Sequence, residues 1–228
     1  EYTLSTGFDV STATFVDAFS VSSQFLSPFG VAFNADGTKM FIAGSTPVYT
    51  AVISEYTLST GFDVSTATFV DSLTVTAVDS APRGLAFNPD GTLMFLVGGA
   101  GKDINEYSLS TGFDVSTATF VDSFSISAQD TSPKGISFNS SGSKMFIVGD
   151  TGNSVYEYAL STVFDVSTAS YTQAYSVATQ ETSPTGIAFN TDSTKMFVVG
   201  SSGDDVNEYT MPLTLALGTG SFVSADVG

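Results

Sequence analysis

Leu4-Ser-Thr-Gly-Phe-Asp-Val-Ser-Thr-Ala-Thr-Phe-Val-Asp17 returns letter for letter at 58–71 and again at 109–122. Upstream of this segment the dipeptide Glu-Tyr recurs at Glu1, Glu55, Glu106, Glu157 and Glu208, at intervals of 54, 51, 51 and 51. A second marker, Pro-x-Gly-(Val/Leu/Ile)-(Ala/Ser)-Phe-Asn, begins at Pro28, Pro82, Pro133 and Pro184 with matching intervals. Such identity implies amplification from one unit. A period of about 50 residues in an all-β chain points to propeller blades.

Each unit resolves into four short strands. In the third unit these are Gly135–Asn139, Lys144–Val148, Val155–Leu160 and a stretch ending at Val177. The second is a continuous apolar run, as in a strand buried on both faces, whereas the fourth alternates like a strand with one wet side. Asn34-Ala-Asp-Gly37 and Asn88-Pro-Asp-Gly91 pair a side-chain acceptor with a glycine suited to positive φ, and read as turns rather than metal loops. A tight hairpin about 98–103 sets Leu93 opposite Ser108 with Glu106 diagonal on the same face. The residues equivalent to Leu93 are Lys39, Lys144 and Lys195, so the register predicts the cross-strand pairs Lys39–Glu55, Lys144–Glu157 and Lys195–Glu208. Each contributes about 0.2–1 kcal/mol if exposed.

The propeller is expected over 1–211, with repeats starting near 1, 55, 106, 157 and 208. Residues 1–21 hold a third and a fourth strand without a first or second, while the last unit loses its pattern at Met211-Pro-Leu-Thr-Leu. The economical closure uses the N-terminal strand around Thr14–Val21, alone or with its neighbour, to complete the last blade. That makes four blades, with five as the alternative. Residues 212–228 read as an exit segment or an irregular last strand. The chain opens inside a repeat, without an initiator Met or a leader, and so is expected to be part of something longer.

Composition narrows the chemistry. There are 23 acidic and 6 basic residues, a net charge of −17, which disfavours nucleic acid and anionic membranes. No apolar run is long enough for a membrane span. Cys and His are both absent, removing disulfides, thiolate ligands and the usual general base. No metal and no cofactor are expected. The adjacent acids Asp204-Asp205 read as a solvated hairpin turn.

The signature Phe-Asn-x-Asp-Gly-Thr-Lys-Met-Phe following Pro-x-Gly resembles the blades of YVTN and NHL-type propellers. Glu-Tyr-Thr-Leu-Ser-Thr and Phe-Asp-Val-Ser-Thr-Ala resemble near-identical repeats of marine bacterial and phage surface or structural proteins. The resemblance covers residues 1 to about 211 and is specific for the fold but nearly silent on activity; the function expected first is a non-enzymatic, extracellular or virion-surface module for adhesion or for building a fibre. Its partners would be a protein or glycan ligand or neighbouring fibre subunits. The alternative is a lectin-like propeller binding glycans or small molecules. More remote is a lactonase-like hydrolase of the calcium-dependent kind, in which Glu, Asn and Asp line the channel mouth. Near-identical blades argue against catalysis, because an active site needs different groups converging.

Departures from the repeat are the candidate binding positions. The residue after the blade-opening proline varies as Phe29, Arg83, Lys134 and Thr185, on the rim of the innermost strand. The first unit replaces a polar loop with Phe25, Leu26 and Phe29, and lengthens its hairpin by three residues around Tyr49. This patch either contacts another domain or subunit or is folded into its own blade.

Overall fold

The computed structural model describes residues 1–211 and the backbone of 221–225. It is an all-β propeller of four four-stranded antiparallel blades, preceded by a two-stranded N-terminal hairpin. The hairpin pairs β1 (Tyr2–Leu4) with β2 (Ala13–Phe15). Blade one is β3 (Ser27–Phe33), β4 (Lys39–Ser45), β5 (Ala51–Leu58) and β6 (Ala67–Thr74). Blade two is β7 (Pro82–Phe87), β8 (Leu93–Gly98), β9 (Asp103–Leu109) and β10 (Ala118–Ser125). Blade three is β11 (Pro133–Phe138), β12 (Lys144–Gly149), β13 (Ser154–Leu160) and β14 (Ala169–Ser176). Blade four is β15 (Pro184–Phe189), β16 (Lys195–Gly200), β17 (Val206–Thr210) and β18 (Ser221–Ala225). Two compact units divide the chain: Glu1 with Val16–Ser125, and Tyr2–Phe15 with the remainder.

The N-terminal splice does not form. The fourth place in blade four belongs to β18, with Ser221 opposite Thr210 and Ser224 opposite Glu208. β2 stays with β1, Tyr2 facing Phe15 as Tyr56 faces Phe69 in blade one. A hairpin closed over a short local loop loses less chain entropy than a pairing with the far end of the molecule. The rest of 212–228 lies outside the described residues.

Second strands are buried on both sides because apolar neighbours pack on each face. In the first unit Phe41 and Ala43 of β4 pack with Leu85, Met94 and Leu96 of blade two. In the second, Phe146 and Val148 of β12 pack with Met196, Val198 and Tyr209 of blade four. Fourth strands are wetter than simple alternation predicts, with Phe69 and Val70 both exposed side by side. A bulge explains this: pairing skips from Phe69 to Asp71, so Val70 is the extra residue and leans outward.

The invariant segment makes a capped turn between third and fourth strands. Asp63 accepts from the Ser65 N–H at 3.1 Å and starts the 3₁₀ turn Val64–Thr66; Asp114 does the same for Ser116. The preceding Phe62, Phe113 and Phe164 all take left-handed backbone, with φ of 63°, 59° and 58°. Each ring covers a turn glycine of its own blade, and the Phe62 N–H donates to the Gly37 carbonyl at 3.0 Å.

The lysine–glutamate pairs are short. Lys39–Glu55, Lys144–Glu157 and Lys195–Glu208 each close to 2.7 Å. The glutamates are buried rather than exposed, and they reach beyond their own blade. Glu55 Oε2 accepts from the Val115 N–H at 3.1 Å, and Lys39 Nζ donates to the Phe113 carbonyl at 2.7 Å. In the second unit Glu208 accepts from Val10 at 3.4 Å and Lys195 donates to Phe8 at 2.6 Å. The Lys39–Glu55 and Lys195–Glu208 pairs thus each clamp a 3₁₀ turn from another hairpin onto the blade.

Candidate functional site

An acid or its substitute stands three residues before each blade-opening proline: Phe25, Asp79, Asp130 and Glu181. The three carboxylates are buried and latch the loop before the first strand to the turn between second and third strands. Asp79 accepts from Ala81 N–H at 2.6 Å and Gly101 N–H at 2.7 Å. Asp130 accepts from Ser132 at 2.6 Å and Gly152 at 3.0 Å, and Glu181 from Ser183 at 2.5 Å and Gly203 at 3.2 Å. The period of this acid was available in the sequence, hidden by its change to Glu181 and to Phe25.

Blade two adds to this latch an acid and an amide that blade three lacks and blade four repeats. A Cβ on Gly98 would run into Asp103 Oδ1, Asp79 Oδ2 and Asn105 Nδ2 together, so two carboxylates and an amide converge across that glycine. Asn105 Nδ2 donates to Asp103 Oδ1 at 2.9 Å. Burial holds the Asp103 carboxyl above the ordinary carboxylate range, opposed by the Asn105 hydrogen bond and helped by the negative charge of Asp79. Blade three has Ser154 and Tyr156 in place of Asp103 and Asn105, while blade four repeats the acid and amide as Asp205 and Asn207, joined at 2.7 Å.

Two further features belong to blade two. Arg83 runs along the same turn, its Nε 3.1 Å from where a Gly99 Cβ would stand, and its guanidinium lies 4.1 Å from the Phe29 ring centroid. Behind the carboxylates, the Tyr107 hydroxyl is buried with no hydrogen-bond partner, at 3% residue exposure. Its counterparts Tyr56, Tyr158 and Tyr209 donate to Gln24, Gln129 and Gln180, at 3.3, 3.3 and 3.5 Å. Blade two has Val78 where those glutamines stand. Burial, then Asp79 and Asp103, push the Tyr107 phenol up to about 12. Tyr107→Phe is therefore expected to leave stability unchanged or raise it by about 1 kcal/mol, whereas Tyr158→Phe lowers it by about 1 kcal/mol. Urea unfolding of the two variants checks the contrast.

The remaining sequence candidates are scattered. Phe25 is buried among Met40, Ile42, Val52 and Tyr56 of its own blade, so that part of the first-unit patch is core. Leu26, Phe29 and Tyr49 are exposed, Tyr49 with left-handed backbone at φ 63°. Phe29 meets Arg83; Lys134 instead lies 3.8 Å from Asp150, and Thr185 Oγ1 donates to the Val199 carbonyl at 3.2 Å. Asp204 and Asp205 form the predicted hairpin turn, Asp204 at φ 55°.

A calcium ion does not fit the blade-two cluster. Both Asp79 oxygens face amide N–H donors, which a cation would have to displace. Among the described residues no group of three or more Asp or Glu converges in a way that could hold a metal.

No family model and no curated protein matches the sequence. Solved structures match over nearly all of it. A Lactobacillus plantarum protein aligns with TM-score 0.59 and 19% identity over 94% of this chain and 61% of its own. A putative 6-phosphogluconolactonase from Bacteroides uniformis aligns with TM-score 0.60 and 10% identity, over 94% of this chain and 74% of its own. The periplasmic gluconolactonase of Pseudomonas aeruginosa gives TM-score 0.52 and 14% identity, over 94% of this chain and 59% of its own. The chain thus spans about three fifths of the first and third of these proteins. At such identities the likeness establishes the propeller fold.

These neighbours overturn the expectation of a non-enzymatic adhesion or fibre module. Two of them carry lactonase names, while a hydrazine synthase from Kuenenia stuttgartiensis shares the fold as well, with TM-score 0.56 and 10% identity over 92% of this chain and 53% of its own. The blades are also not chemically identical: blade two has Val78 in place of a glutamine and Arg83 after its opening proline, and it shares Asp103 and Asn105 with blade four but not with blade three. No helix is long and apolar enough to cross a membrane.

Proposed function

We propose that this chain is a lactonase-like hydrolase propeller, with blade two carrying the chemistry on small hydroxylated lactones. The observation that carries the reading is the convergence of Asp79 and Asp103 across Gly98, with Arg83 Nε lying against the neighbouring Gly99. The lactonase names of the Bacteroides and Pseudomonas neighbours give the reaction class. The Pro-x-Gly and Asp-Gly-Thr-Lys-Met-Phe signature is the support for YVTN or NHL-type ancestry. An acid-rich surface and a periplasmic neighbour favour a setting outside the cytoplasm.

The step is ester hydrolysis. Ionised Asp103 takes a proton from water as the water oxygen attacks the lactone carbonyl carbon. The oxyanion of the tetrahedral intermediate faces Arg83. Collapse breaks the ring C–O bond, and the departing alkoxide takes the proton back from Asp103, leaving an open hydroxy acid. Asp79 keeps Asp103 basic enough for the transfer. The only fixed cation among these groups is Arg83, which also suits a substrate phosphate or product carboxylate.

The test is acid release from glucono-δ-lactone and its 6-phosphate, followed by pH-stat against the spontaneous reaction. Asp103→Asn is expected to lower kcat/KM by about 10²-fold, and Arg83→Gln to raise KM. Activity should climb as pH passes through the raised Asp103 pKa. Stability should move the other way. A carboxyl whose folded pKa lies above its unfolded one loses stability as pH rises from the ordinary value through the folded value. Asp103→Asn should therefore be the more stable protein at neutral pH. A rate equal to the uncatalysed one, or an unchanged Asp103→Asn, sinks the reading.

A further inference from the structure

The N-terminal hairpin is the outer half of a blade, and the second unit shows what its inner half would touch. In all four blades the first N–H after the third strand's conserved Tyr-x pair finds a carbonyl in the turn between first and second strands. Leu58 donates to Thr38 at 2.7 Å, Leu160 to Ser143 at 2.9 Å and Met211 to Thr194 at 2.7 Å. Phe62 and Phe164 likewise donate to Gly37 and Gly142, at 3.0 and 2.9 Å. Among the described residues the equivalent N–H groups of Leu4 and Phe8 have no such acceptor. β1 pairs on one side only, with β2.

The adjoining face of blade four is open in the same register. Inner strands stack glycine on glycine: a Cβ on Gly135 would stand 3.0 Å from Gly186 Cα, and one on Gly30 would stand 3.2 Å from Gly84 Cα. Among the described residues, a Cβ on Gly186 would meet only its own blade's Val199. Val199 is 41% exposed where Val97 and Val148 are fully buried, and Tyr2 is 64% exposed where Tyr56, Tyr158 and Tyr209 are fully buried. Between them lies a groove of about 280 Å³, lined by Tyr2, Leu4, Val10 and Val199 and bordered by Asp204 and Asp205.

We propose that this groove and the free edge of β1 form an acceptor site for the inner hairpin of one further repeat, supplied from outside residues 1–228. The surface continues an interface that already exists between the inner strands of blades three and four. Charge also matches. The hairpin Pro133–Gly149 carries Lys134 and Lys144 and no acid, and it would approach an edge bordered by two aspartates. The occupant adds one strand to β1 by backbone pairing, sets Met and Phe of its second strand against Tyr2, and lays its glycine on Gly186.

The experiment uses a synthetic peptide of sequence 133–149 titrated into the whole chain by calorimetry, with hydrogen exchange read at residues 2–8. Saturable one-to-one binding with at least tenfold slower exchange at Leu4 and Phe8 is expected. A peptide with Met145→Asp and Phe146→Asp should lose at least tenfold in affinity. The Leu4→Pro chain, which has lost the edge N–H, should bind at least tenfold more weakly. As a second arm, the same hairpin fused ahead of Glu1 through a Gly/Ser linker should raise the unfolding midpoint, since tethering supplies an effective concentration in the millimolar range, about 1 mM. No binding together with no stabilisation of the fusion overturns the proposal. So does equal binding of the Asp-substituted peptide, or a dimer of the chain that occupies the edge and excludes the peptide.

Discussion

Glu55→Ala is expected to lower the unfolding free energy by about 3–5 kcal/mol, the range for removing one partner of a buried ion pair. The carboxylate is 3% exposed and serves two donors at once, Lys39 Nζ at 2.7 Å through one oxygen and the Val115 N–H at 3.1 Å through the other, while Lys39 also donates to the Phe113 carbonyl. Its loss leaves a half-buried ammonium and an orphaned amide at the start of a 3₁₀ turn whose Val115 is fully buried. Lys39→Met should be milder, because methionine fills the same channel and Glu55 keeps the amide. The double variant should lose less than the sum of the two. Urea denaturation of all three checks this, and a Glu55→Ala loss below about 1 kcal/mol would reduce the clamp to an ordinary surface pair.

The second large effect is at the blade turn. Gly91 has φ of +71°, and the Phe113 ring stands where its Cβ would be. Gly91→Ala combines left-handed strain of about 1–2 kcal/mol with overpacking of about 1–3 kcal/mol, so a loss of about 2–5 kcal/mol is expected. The fourth unit carries its own control. There the glycine is replaced by Ser193, at φ 59°, and the sequence after Thr210 also lacks the Phe-Asp-Val segment. Glycine and phenylalanine are lost together because each exists to accommodate the other. Gly91→Ala combined with Phe113→Ala should then recover part of the strain relative to the sum. Ser193→Gly should be neutral or mildly stabilising. Thermal melts followed by circular dichroism distinguish these outcomes.

The fold was legible because its signals are local and repeated. Polar turns, the apolar second strand and the offset between Lys39 and Glu55 are all properties of one unit read several times. The closure was not legible, since it depended on whether β2 would leave a partner already beside it, a competition between local and distant pairing. The candidate site was hidden for a different reason. Asp79 comes from the loop before β7 and Asp103 and Asn105 from β9, and the turn at Gly98–Gly101 folds them together. The valine at position 78 looks like drift until the Tyr107 hydroxyl behind it is seen to lack the partner that Gln24, Gln129 and Gln180 give its counterparts. The proposed site draws on two exceptions to the repeat, Val78 beside a buried polar group and Arg83 after the blade-opening proline.

The clamp on Glu55 also bears on how the chain assembles. Its amide partner, Val115, lies 60 residues downstream, so a ribosome must finish most of the following repeat before the first blade can be locked. In that interval the emerging chain already displays an identical 3₁₀ segment at 58–71, whose Val64 amide offers the same chemistry much nearer to hand. Letter-for-letter repetition therefore makes wrong docking nearly as favourable as right docking. Refolding from denaturant should be slow and multiphasic, and diversifying only 109–122 should speed it without altering the native state.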